Sequence, residues 1–505
     1  MKNFIVALSV FLLAAGGLRA RQLAIVHTND THSQIDPADN GTGGTARLKA
    51  VIDSVRAARQ HVVVVDAGDA VQGTMYFTIY KGEVEYRMLD ELGYDLAVLG
   101  NHDFDNGVAQ LARNLRNSKV KWLSANYTFD PSTGLADIFH PTAIIDFDGR
   151  KVGFMGINLD PKGMVAEGNY DGVGYLDATA TARSVADDLR RDGADYVVAI
   201  THLGYDGTAG PSDSSIAAGT TGIDLIIGAH SHSTIQPAND VEGRYHWKHV
   251  NAAGDTVAVV QTGSKGANVG VTTIDLDNGK IDYELIPVDA RLDCRTDSAV
   301  EAIVDGYRSR VDSVMNIKAA VAADELTKAD RGLMNFLGDF LAREGERLAG
   351  APVDMALLNA GGVRRDLPRG QISKGMLIDM LPFNNRIVVL EISGADLLEA
   401  VDNVVARGAA DGINASTRIV FDPDTRKGVQ TTIGGTAVDP DRTYTIATID
   451  YLAGGGDYMT PLTRARLTHR SPNVLYDDLI EYIETEWRHT PIVPDNTPRL
   501  LPIKQ

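Results

Sequence analysis

Short apolar runs recur along roughly the first 290 residues, and each ends in a cluster of polar residues. The runs are rich in Val, Ile and Leu, which is typical of buried strands. Segments with helical spacing lie between them, at residues 46–59, 84–92 and 182–191. Strands that alternate with helices predict a layered α/β domain. The strands that end in polar clusters are predicted at residues 23–26, 62–65, 96–99, 196–200 and 224–227.

The pattern changes in the second part of the chain, where helices and strands are mixed. The predicted helices are residues 332–348, 395–405 and 472–484, and the predicted strands are 354–358, 387–392, 419–421 and 444–447. Residues 298–318 are charged and helical, without a strand signal. A chain of 505 residues is too long for one core. We expect an α/β domain at 21–296, a linker helix at 297–318 and a smaller α+β domain at 319–505.

The N-terminus has the features of a secretory signal peptide. Lys2 precedes an apolar run at residues 4–15, and small residues follow as far as Ala20. The run is too short for a membrane-spanning helix, so we expect residues 1–20 to be cleaved, with an uncleaved anchor as the alternative. No integral membrane segment is expected in the mature chain. The single cysteine, Cys294, excludes an internal disulfide. The chain is expected to be exported, to the periplasm or outside the cell.

Composition and charge limit the possible partners. The chain is 44% hydrophobic and 23% charged, as in ordinary soluble globular proteins. Its formal net charge of −19 argues against a nucleic-acid polymer as partner, because phosphate backbones bind basic surfaces. A small phosphorylated ligand is compatible with this charge, since bound metal ions can invert the local charge. The sequence gives no indication of the oligomeric state.

The polar clusters at the five strand ends share carboxylates, an amide and imidazoles. Ligand sites in α/β sheets lie at the carboxyl ends of strands, so these side chains are expected to converge. Oxygen and imidazole donors suit Zn, Mn, Fe or Co. Two such ions need about seven protein ligands, one of them a bridging carboxylate. The candidate residues are Asp30, His32, Asp69, Asn101, His102, Asp105, His202, His230 and His232.

Each of these motifs also has an ordinary structural interpretation. A single Asp after a strand usually caps the next helix. A lone His is more often a core or surface residue than a ligand. All five motifs follow predicted strands in the same way, and this coincidence favours a metal site.

The order of the motifs resembles the calcineurin-like metallophosphoesterases. The matching segments are Asp30-x-His32, Gly68-Asp69, Gly100-Asn-His-Asp-x-Asp105, His202 and Gly228-x-His-x-His232. The second part resembles the C-terminal domain of 5′-nucleotidases, through Asn359-Ala-Gly-Gly-Val-Arg364, Leu381-Pro-Phe383 and Tyr451-Leu-Ala-Gly-Gly-Gly-Asp457. Together the motifs are typical of the 5′-nucleotidase/UDP-sugar hydrolase family. Three positions depart from the family pattern: Asp103 replaces Glu, Tyr451 replaces Phe and Gly454 replaces Asn.

The resemblance implies a role for each matched residue. Asp30, His32 and His232 would hold one divalent ion, and Asn101, His202 and His230 the other, with Asp69 as the bridge. His102 and Asp105 would be the catalytic dyad. The substrate would be held by Asn359, Arg364, Phe383, Tyr451 and Asp457, with Arg331 as a weaker candidate because its local spacing differs. The alternative for Phe383 and Tyr451 is ordinary core packing.

The resemblance also implies an activity. The expected function is release of phosphate from nucleoside 5′-monophosphates by a metal-activated water, with two Zn, Mn or Co ions. Three alternatives from the same chemistry remain open: a 2′,3′-cyclic nucleotide phosphodiesterase, a 3′-nucleotidase or a UDP-sugar hydrolase. An alternative from another class is a non-catalytic protein that binds nucleotides or surfaces. Such a protein is expected to have lost ligands, and all expected ligands are present.

Overall fold

The computed structural model describes residues 21–38, 40–206, 210–237 and 245–503. The predicted signal peptide and its cleavage position at Ala20 lie outside the described residues. No described helix has the length and apolar character needed to cross a membrane.

The N-terminal region contains most of the strands that position the predicted site. In chain order they are β1 (Gln22–Thr28), β2 (His61–Asp66), β3 (Leu96–Ala97), β4 (Lys121–Leu123), β5 (Tyr127–Phe129), β6 (Phe139–His140), β7 (Thr142–Phe147), β8 (Arg150–Asn158), β9 (Val173–Tyr175), β10 (Tyr196–His202), β11 (Leu225–Ile227), β12 (Lys248–Val250), β13 (Thr256–Val260), β14 (Asn268–Asp275) and β15 (Ile281–Pro287).

Thirteen of these strands form two large sheets, and β5 and β9 pair separately with each other. The first has the order β15-β14-β1-β2-β3-β4-β6, and the second has the order β12-β13-β11-β10-β8-β7. β1, β2 and β3 are parallel neighbours, as are β10 and β11, so their carboxyl ends lie at one edge of each sheet. Alternate residues of β1, such as Leu23 and Ile25, pack into a core that also contains Val198 and Ile200 of β10. The two sheets therefore lie face to face.

Seven helices accompany these sheets in the described part of the chain. They are α1 (Thr45–Ala58), α2 (Met75–Tyr80), α3 (Glu83–Leu92), α4 (Val108–Leu115), α5 (Ala178–Arg191), α6 (Asp213–Gly219) and α7 (Ser298–Met315). α1 packs on β1 and β2, whereas α5 packs on β8 and β10. This arrangement confirms the predicted α/β/β/α layers.

The C-terminal region is smaller and of α+β type, as predicted. Its strands are β16 (Lys318–Ala322), β17 (Met355–Leu358), β18 (Gly370–Ser373), β19 (Ile387–Ser393), β20 (Gly412–Ile413), β21 (Thr417–Asp422), β22 (Lys427–Ile433), β23 (Thr436–Ala437), β24 (Thr443–Ile449), β25 (Arg466–Arg470) and β26 (Leu500–Pro502). Its helices are α8 (Gly332–Ala349), α9 (Lys374–Met380), α10 (Gly394–Ala406), α11 (Asp450–Ala453) and α12 (Leu475–Glu486). A five-stranded sheet, β20-β17-β24-β19-β25, is packed against α8.

The connecting helix α7 is shorter than the sequence pattern indicated. It ends at Met315, and Lys318 already begins β16, which pairs with β18 in antiparallel fashion. The pairing of β16 with a strand some fifty residues later is a long-range contact that local helical spacing cannot predict. Within α7, Arg308 forms an ion pair of 2.5 Å with Asp36 and so links the helix to the N-terminal region.

Candidate active site

The first predicted metal-ligand group consists of three side chains that lie close together. One ligand atom from each of Asp30, His32 and His232 lies within 4.8 Å of the others. The Nε2 atoms of His32 and His232 are 2.9 Å apart, and His232 Nε2 lies 3.6 Å from Asp30 Oδ1. Asp30 and His32 are buried just beyond the end of β1, whereas His232 is partly exposed. The structure therefore brings together the three residues assigned to one ion.

The second predicted group lies next to the first. Asp69, His202 and His230 also offer ligand atoms within 4.8 Å of one another. His202 Nε2 lies 3.2 Å from Asp69 Oδ2, and Asn101 Oδ1 lies 2.9 Å from His230 Nδ1. The two groups are adjacent, since His202 Nε2 of the second group lies 4.0 Å from Asp30 Oδ1 of the first. The seven predicted ligands thus form one continuous cluster at the carboxyl ends of the parallel strands.

The backbone at this cluster is held in a conformation that L-residues rarely adopt. Positive φ angles occur at five of the seven predicted ligands, namely Asp30 (50°), His32 (49°), Asp69 (55°), His230 (73°) and His232 (54°). Such residues cost free energy and persist only where the surrounding structure imposes them. Strained residues of this kind concentrate at functional sites. Their convergence on one cluster favours a functional role for it.

The proton on His202 can be placed from its contacts. Its Nδ1 lies 2.8 Å from the carbonyl oxygen of Ala67, so Nδ1 carries the proton in the neutral ring. Burial lowers the pKa of His202, but the carboxylates of Asp69 and Asp30 outweigh burial and raise the pKa to about 10, so a proton lies between the buried Nε2 and Asp69 Oδ2, 3.2 Å apart. A metal ion can take the place of such a proton, because metal ligands must be deprotonated to bind it. This contact fits a metal ion.

The pKa values in the two groups lead to the same conclusion. Burial raises the pKa of Asp30 to about 7, although the charge of His202 opposes this effect. Burial also lowers the pKa of His230 to about 3 and that of His232 to about 4, so both rings are neutral donors at pH 7. Neutral imidazoles and a buried carboxylate are the ligands that a borderline divalent ion prefers. The residues present therefore fit two divalent cations.

The loop after β3 places His102 and Asp105 at the rim of the cluster. His102 Nδ1 lies 3.0 Å from Asp105 Oδ2, and the His102 amide donates a bond of 2.9 Å to Asp69 Oδ1. Burial lowers the pKa of His102, but the carboxylates of Asp105 and Asp69 outweigh burial and raise it above the ordinary value. A Cβ on Gly100 would lie 2.1 Å from Asp69 Oδ1, so only glycine fits there.

Arg364 and Phe383 reach this dyad from the C-terminal region. Arg364 Nη2 lies 3.2 Å from His102 Nε2, and the Phe383 ring centroid lies 5.6 Å from that of His102. The Arg364 guanidinium lies 5.1 Å from the Phe383 ring centroid, and its Nε is buried without a hydrogen-bond partner. A second contact between the regions is the 3.2 Å hydrogen bond from Asn384 to Asn106. Both regions therefore form the walls of one site.

Three further substrate candidates contact one another behind Arg364. Asn359 Nδ2 donates a bond of 2.7 Å to Asp457 Oδ2, and the Tyr451 hydroxyl donates one of 3.0 Å to Asp457 Oδ1. Asp457 has a positive φ of 53°, and Asn359 Oδ1 is buried without a partner. Among the described residues, Phe383 contacts His102 and Arg364, and no ring contact joins it to Tyr451.

Arg331 lies apart from this set. Its guanidinium donates to three backbone carbonyls, those of Ala409, Ala410 and Asp411. The Asp411 carboxylate in turn accepts a 3.0 Å bond from the amide of Ala360, next to Asn359. Arg331 is thus connected to the substrate candidates through the segment 409–411. Its contact with substrate stays a prediction.

Sequence reasoning missed two buried residues that orient the predicted ligands. Asn29 donates a bond of 2.7 Å to Asp30 Oδ2. Asp103 accepts a bond of 2.6 Å from the Gly100 amide and one of 3.4 Å from the Asp69 amide, while Tyr86 donates to its other oxygen at 2.6 Å. Asn29 directly precedes the Asp30-x-His32 motif and Asp103 lies within the Gly100–Asp105 motif, but only their burial beside the predicted ligands indicates this role. Asp103 therefore holds the backbone amides of Gly100 and Asp69, although the family usually has Glu at this position.

Comparison with known families accounts for most of the chain. The family model for calcineurin-like phosphoesterases matches residues 23–234, and the model for the 5′-nucleotidase C-terminal domain matches residues 311–464. The chain belongs to the 5′-nucleotidase family. This confirms the resemblance inferred from the motifs, and it makes the protein a metal-dependent phosphoester hydrolase.

Relatives of this family align over nearly the full length. The chain is 27% identical to the 5′-nucleotidase of Mus musculus, over 95% of this chain and 91% of that protein. It is 26% identical to the trifunctional nucleotide phosphoesterase YfkN of Bacillus subtilis, over 88% of this chain and 32% of that longer protein. The crystal structure of a 5′-nucleotidase precursor from Thermus thermophilus superposes with a TM-score of 0.84 at 26% identity, covering 96% of this chain and 100% of that one.

Proposed function

We propose that the protein is an exported nucleotidase that releases phosphate from nucleoside 5′-monophosphates. The observation that carries the proposal is the contact between Arg364 and His102, because it places a C-terminal cation beside the predicted dyad of the N-terminal region. In this proposal residues 21–296 bind the metals, 297–318 connect the domains and 319–505 bind the nucleoside. The N-terminal signal and the precursor status of the Thermus relative support export.

Each predicted ligand has a defined part in the proposed chemistry. Asp30, His32 and His232 would hold one divalent ion; Asn101, His202 and His230 would hold the second, and Asp69 would bridge them. Bound Zn, Mn or Co ions would supply an activated water and neutralise charge on the phosphate. His102 would donate a hydrogen bond to the phosphate oxygens as charge builds up on them. Asp105 would orient His102 through its Nδ1 proton, across the 3.0 Å contact.

The C-terminal residues would hold the rest of the substrate. Arg364 has a buried, unpartnered Nε and approaches His102, as a phosphate-binding guanidinium would. Phe383 and Tyr451 would flank the base, since aromatic stacking tolerates any base. Asp457 and the unpartnered Asn359 Oδ1 would accept hydrogen bonds from the ribose hydroxyls. A nucleoside monophosphate carries one group for each of these partners.

A substrate panel tests the proposal. The metal-loaded protein is assayed with AMP, UMP, ADP, UDP-glucose, 2′,3′-cyclic AMP and 3′-AMP, and the highest kcat/KM is expected for the 5′-monophosphates. Chelation is expected to abolish turnover, and Zn, Mn or Co to restore it. A clear preference for the cyclic nucleotide, 3′-AMP or UDP-glucose would replace the proposed substrate with that alternative. Binding of AMP without turnover of any compound would favour a non-catalytic protein.

A further inference from the structure

Gln261 is a buried amide whose hydrogen-bonding capacity is fully used. It follows β13 directly and has no exposed surface. Its Nε2 donates to Asp213 Oδ2 at 2.8 Å and to the carbonyl of Ala229 at 3.1 Å. Its Oε1 accepts from Ser231 Oγ at 3.0 Å and from the Ser233 amide at 3.2 Å. Three of these four bonds go to the segment 229–233.

The segment 229–233 carries one predicted ligand for each metal. His230 belongs to the group with Asp69, and His232 to the group with Asp30. Both histidines have positive φ angles, 73° and 54°, so the turn is unfavourable on its own. A strained turn of this kind persists only when other contacts impose it. The bonds from Gln261 to Ala229, Ser231 and Ser233 lie on both sides of the two histidines.

Asp213 fixes the orientation of the Gln261 amide. Its carboxylate is fully buried and accepts bonds from Gln261 Nε2 and, at 2.6 Å, from Thr201 Oγ1. Because a carboxylate oxygen accepts, the donor end of Gln261 must face Asp213, and the acceptor end is left for Ser231 and Ser233. A Cβ on Gly228 would lie 1.9 Å from Asp213 Oδ2, so the carboxylate packs directly on the backbone before the turn.

We propose that Gln261, oriented by Asp213, is a positioning residue that sets His230 and His232 together and so controls the affinity of both metal sites. The inference rests on the proposed function, because it takes the two histidines as ligands of different ions. Residues that orient metal ligands typically change metal affinity by about 10–100-fold when they are removed. Loss of the Gln261 bonds is therefore expected to weaken both sites at once, whereas loss of a single ligand weakens one site more than the other.

Metal binding by the full chain tests this inference. Equilibrium dialysis against Zn²⁺ alone, followed by elemental analysis, gives the stoichiometry and both dissociation constants for the wild type, Gln261→Met and His232→Ala. Gln261→Met keeps the side-chain length but makes none of the four bonds, and it is expected to raise both dissociation constants about tenfold or more. His232→Ala is expected to weaken mainly one. Should Gln261→Met not fold, Asp213→Asn removes one acceptor at constant volume and is expected to weaken both sites to a smaller extent.

A buried amide far from the metals provides the control. Asn335 has no exposed surface and donates to the carbonyls of Asp495 and Thr497. Asn335→Leu is expected to lower Tm while leaving both dissociation constants unchanged. Unchanged constants in Gln261→Met, or a loss confined to one site, would overturn the positioning role while the metal sites themselves stand. A wild-type chain that binds no Zn²⁺ and, in repeated dialysis, no Mn²⁺ or Co²⁺ would overturn the proposed function and this inference together.

Discussion

The two halves of the site are built in different ways. The metal-facing half lies at the carboxyl ends of β1, β2, β10 and β11, and most of its side chains are buried between layers of structure. The nucleoside-facing half consists of short helical turns and loops, in which Asn359, Tyr451 and Asp457 bond to one another. In the first half, buried carboxylates and imidazoles lie close together, whereas in the second the donors of Asn359 and Tyr451 are already paired with the Asp457 carboxylate.

This difference indicates what each half requires from its ligand. In the metal-facing half, His202 and Asp69 lie 3.2 Å apart and share a proton, which a divalent ion would replace with a larger positive charge. In the nucleoside-facing half, the ribose of the proposed substrate would replace the bonds that Asn359 and Tyr451 give to Asp457, so only the free-energy difference between the old and the new bonds would contribute to binding. Changes in the metal-facing half are therefore expected to affect turnover strongly, and changes in the other half to affect KM moderately.

The largest effect is expected from Asp69→Asn. An amide lacks the negative charge with which the Asp69 carboxylate would hold two ions. Weaker metal binding would remove several kcal/mol of transition-state stabilisation. We expect kcat/KM for an aryl phosphate to fall on the order of 10⁴-fold. Steady-state kinetics together with the metal content of the purified variant measure the effect.

Asp66 provides a matched control for that substitution. It is an equally buried carboxyl group at the end of β2, three positions before Asp69, and it accepts bonds from Thr28 Oγ1 at 2.7 Å and from the Gly68 amide at 3.0 Å. Asp66→Asn is expected to lower Tm while keeping kcat/KM within about tenfold of wild type, in line with one lost hydrogen bond. Equal losses in the two variants would mean that Asp69 acts through packing alone.

The second effect, in order of size, is expected from His102→Ala. His102 contacts the cluster through its backbone amide, and its ring faces Arg364 and Asp105. Removal of the ring should leave both metals bound and lower kcat by about 10²–10⁴-fold, the range for groups that stabilise a transition state or transfer a proton. Kinetics combined with elemental analysis check both parts, and loss of a metal ion would identify His102 as a ligand instead.

Much of the metal-facing half could be predicted from sequence because it depends on local signals. A run of four or five Val, Ile or Leu residues followed by Asp or His is visible in one short window, as at Val62–Val65 before Asp69. Parallel strand ends then bring such windows together. The end of β13 carries the same signal, since Val259 and Val260 precede Gln261, yet a single glutamine was not recognised as part of the set.

Other features depend on contacts that no local pattern contains. The positive φ angles of Asp30, His32 and His230 are imposed by their surroundings. A glycine in the sequence suggests a positive φ angle, whereas an Asp or a His does not. The contact between Arg364 and His102 spans 262 positions and depends on how the two regions pack. The predicted linker helix extends to Lys318, the first residue of β16, for the same reason, because the partner strand β18 lies far along the chain.

A moderate effect, confined to nucleotides, is expected from Phe383→Ala. If the ring stacks on the base, its loss removes about 1–3 kcal/mol and raises KM for AMP about tenfold or more. An aryl phosphate lacks a nucleoside, so its kinetics should change far less. Parallel assays of both substrates give the comparison. Because the ring also lies against His102 and Arg364, equal losses on both substrates would identify Phe383 as a packing residue of the dyad.

The smallest effect is expected from Tyr451→Phe, and it shows how the nucleoside-facing half works. The Tyr451 hydroxyl donates to Asp457 Oδ1 at 3.0 Å and accepts from the Asp457 amide at 3.3 Å. Its loss should leave Asp457 less firmly oriented at a cost of about 1 kcal/mol, which corresponds to a rise in KM for AMP of roughly fivefold. The aryl phosphate, which does not need Asp457, should be unaffected. A change in the ratio of 2′,3′-cyclic AMP to AMP turnover, without a change in KM for AMP, would instead mean that the hydroxyl contacts the substrate and selects it.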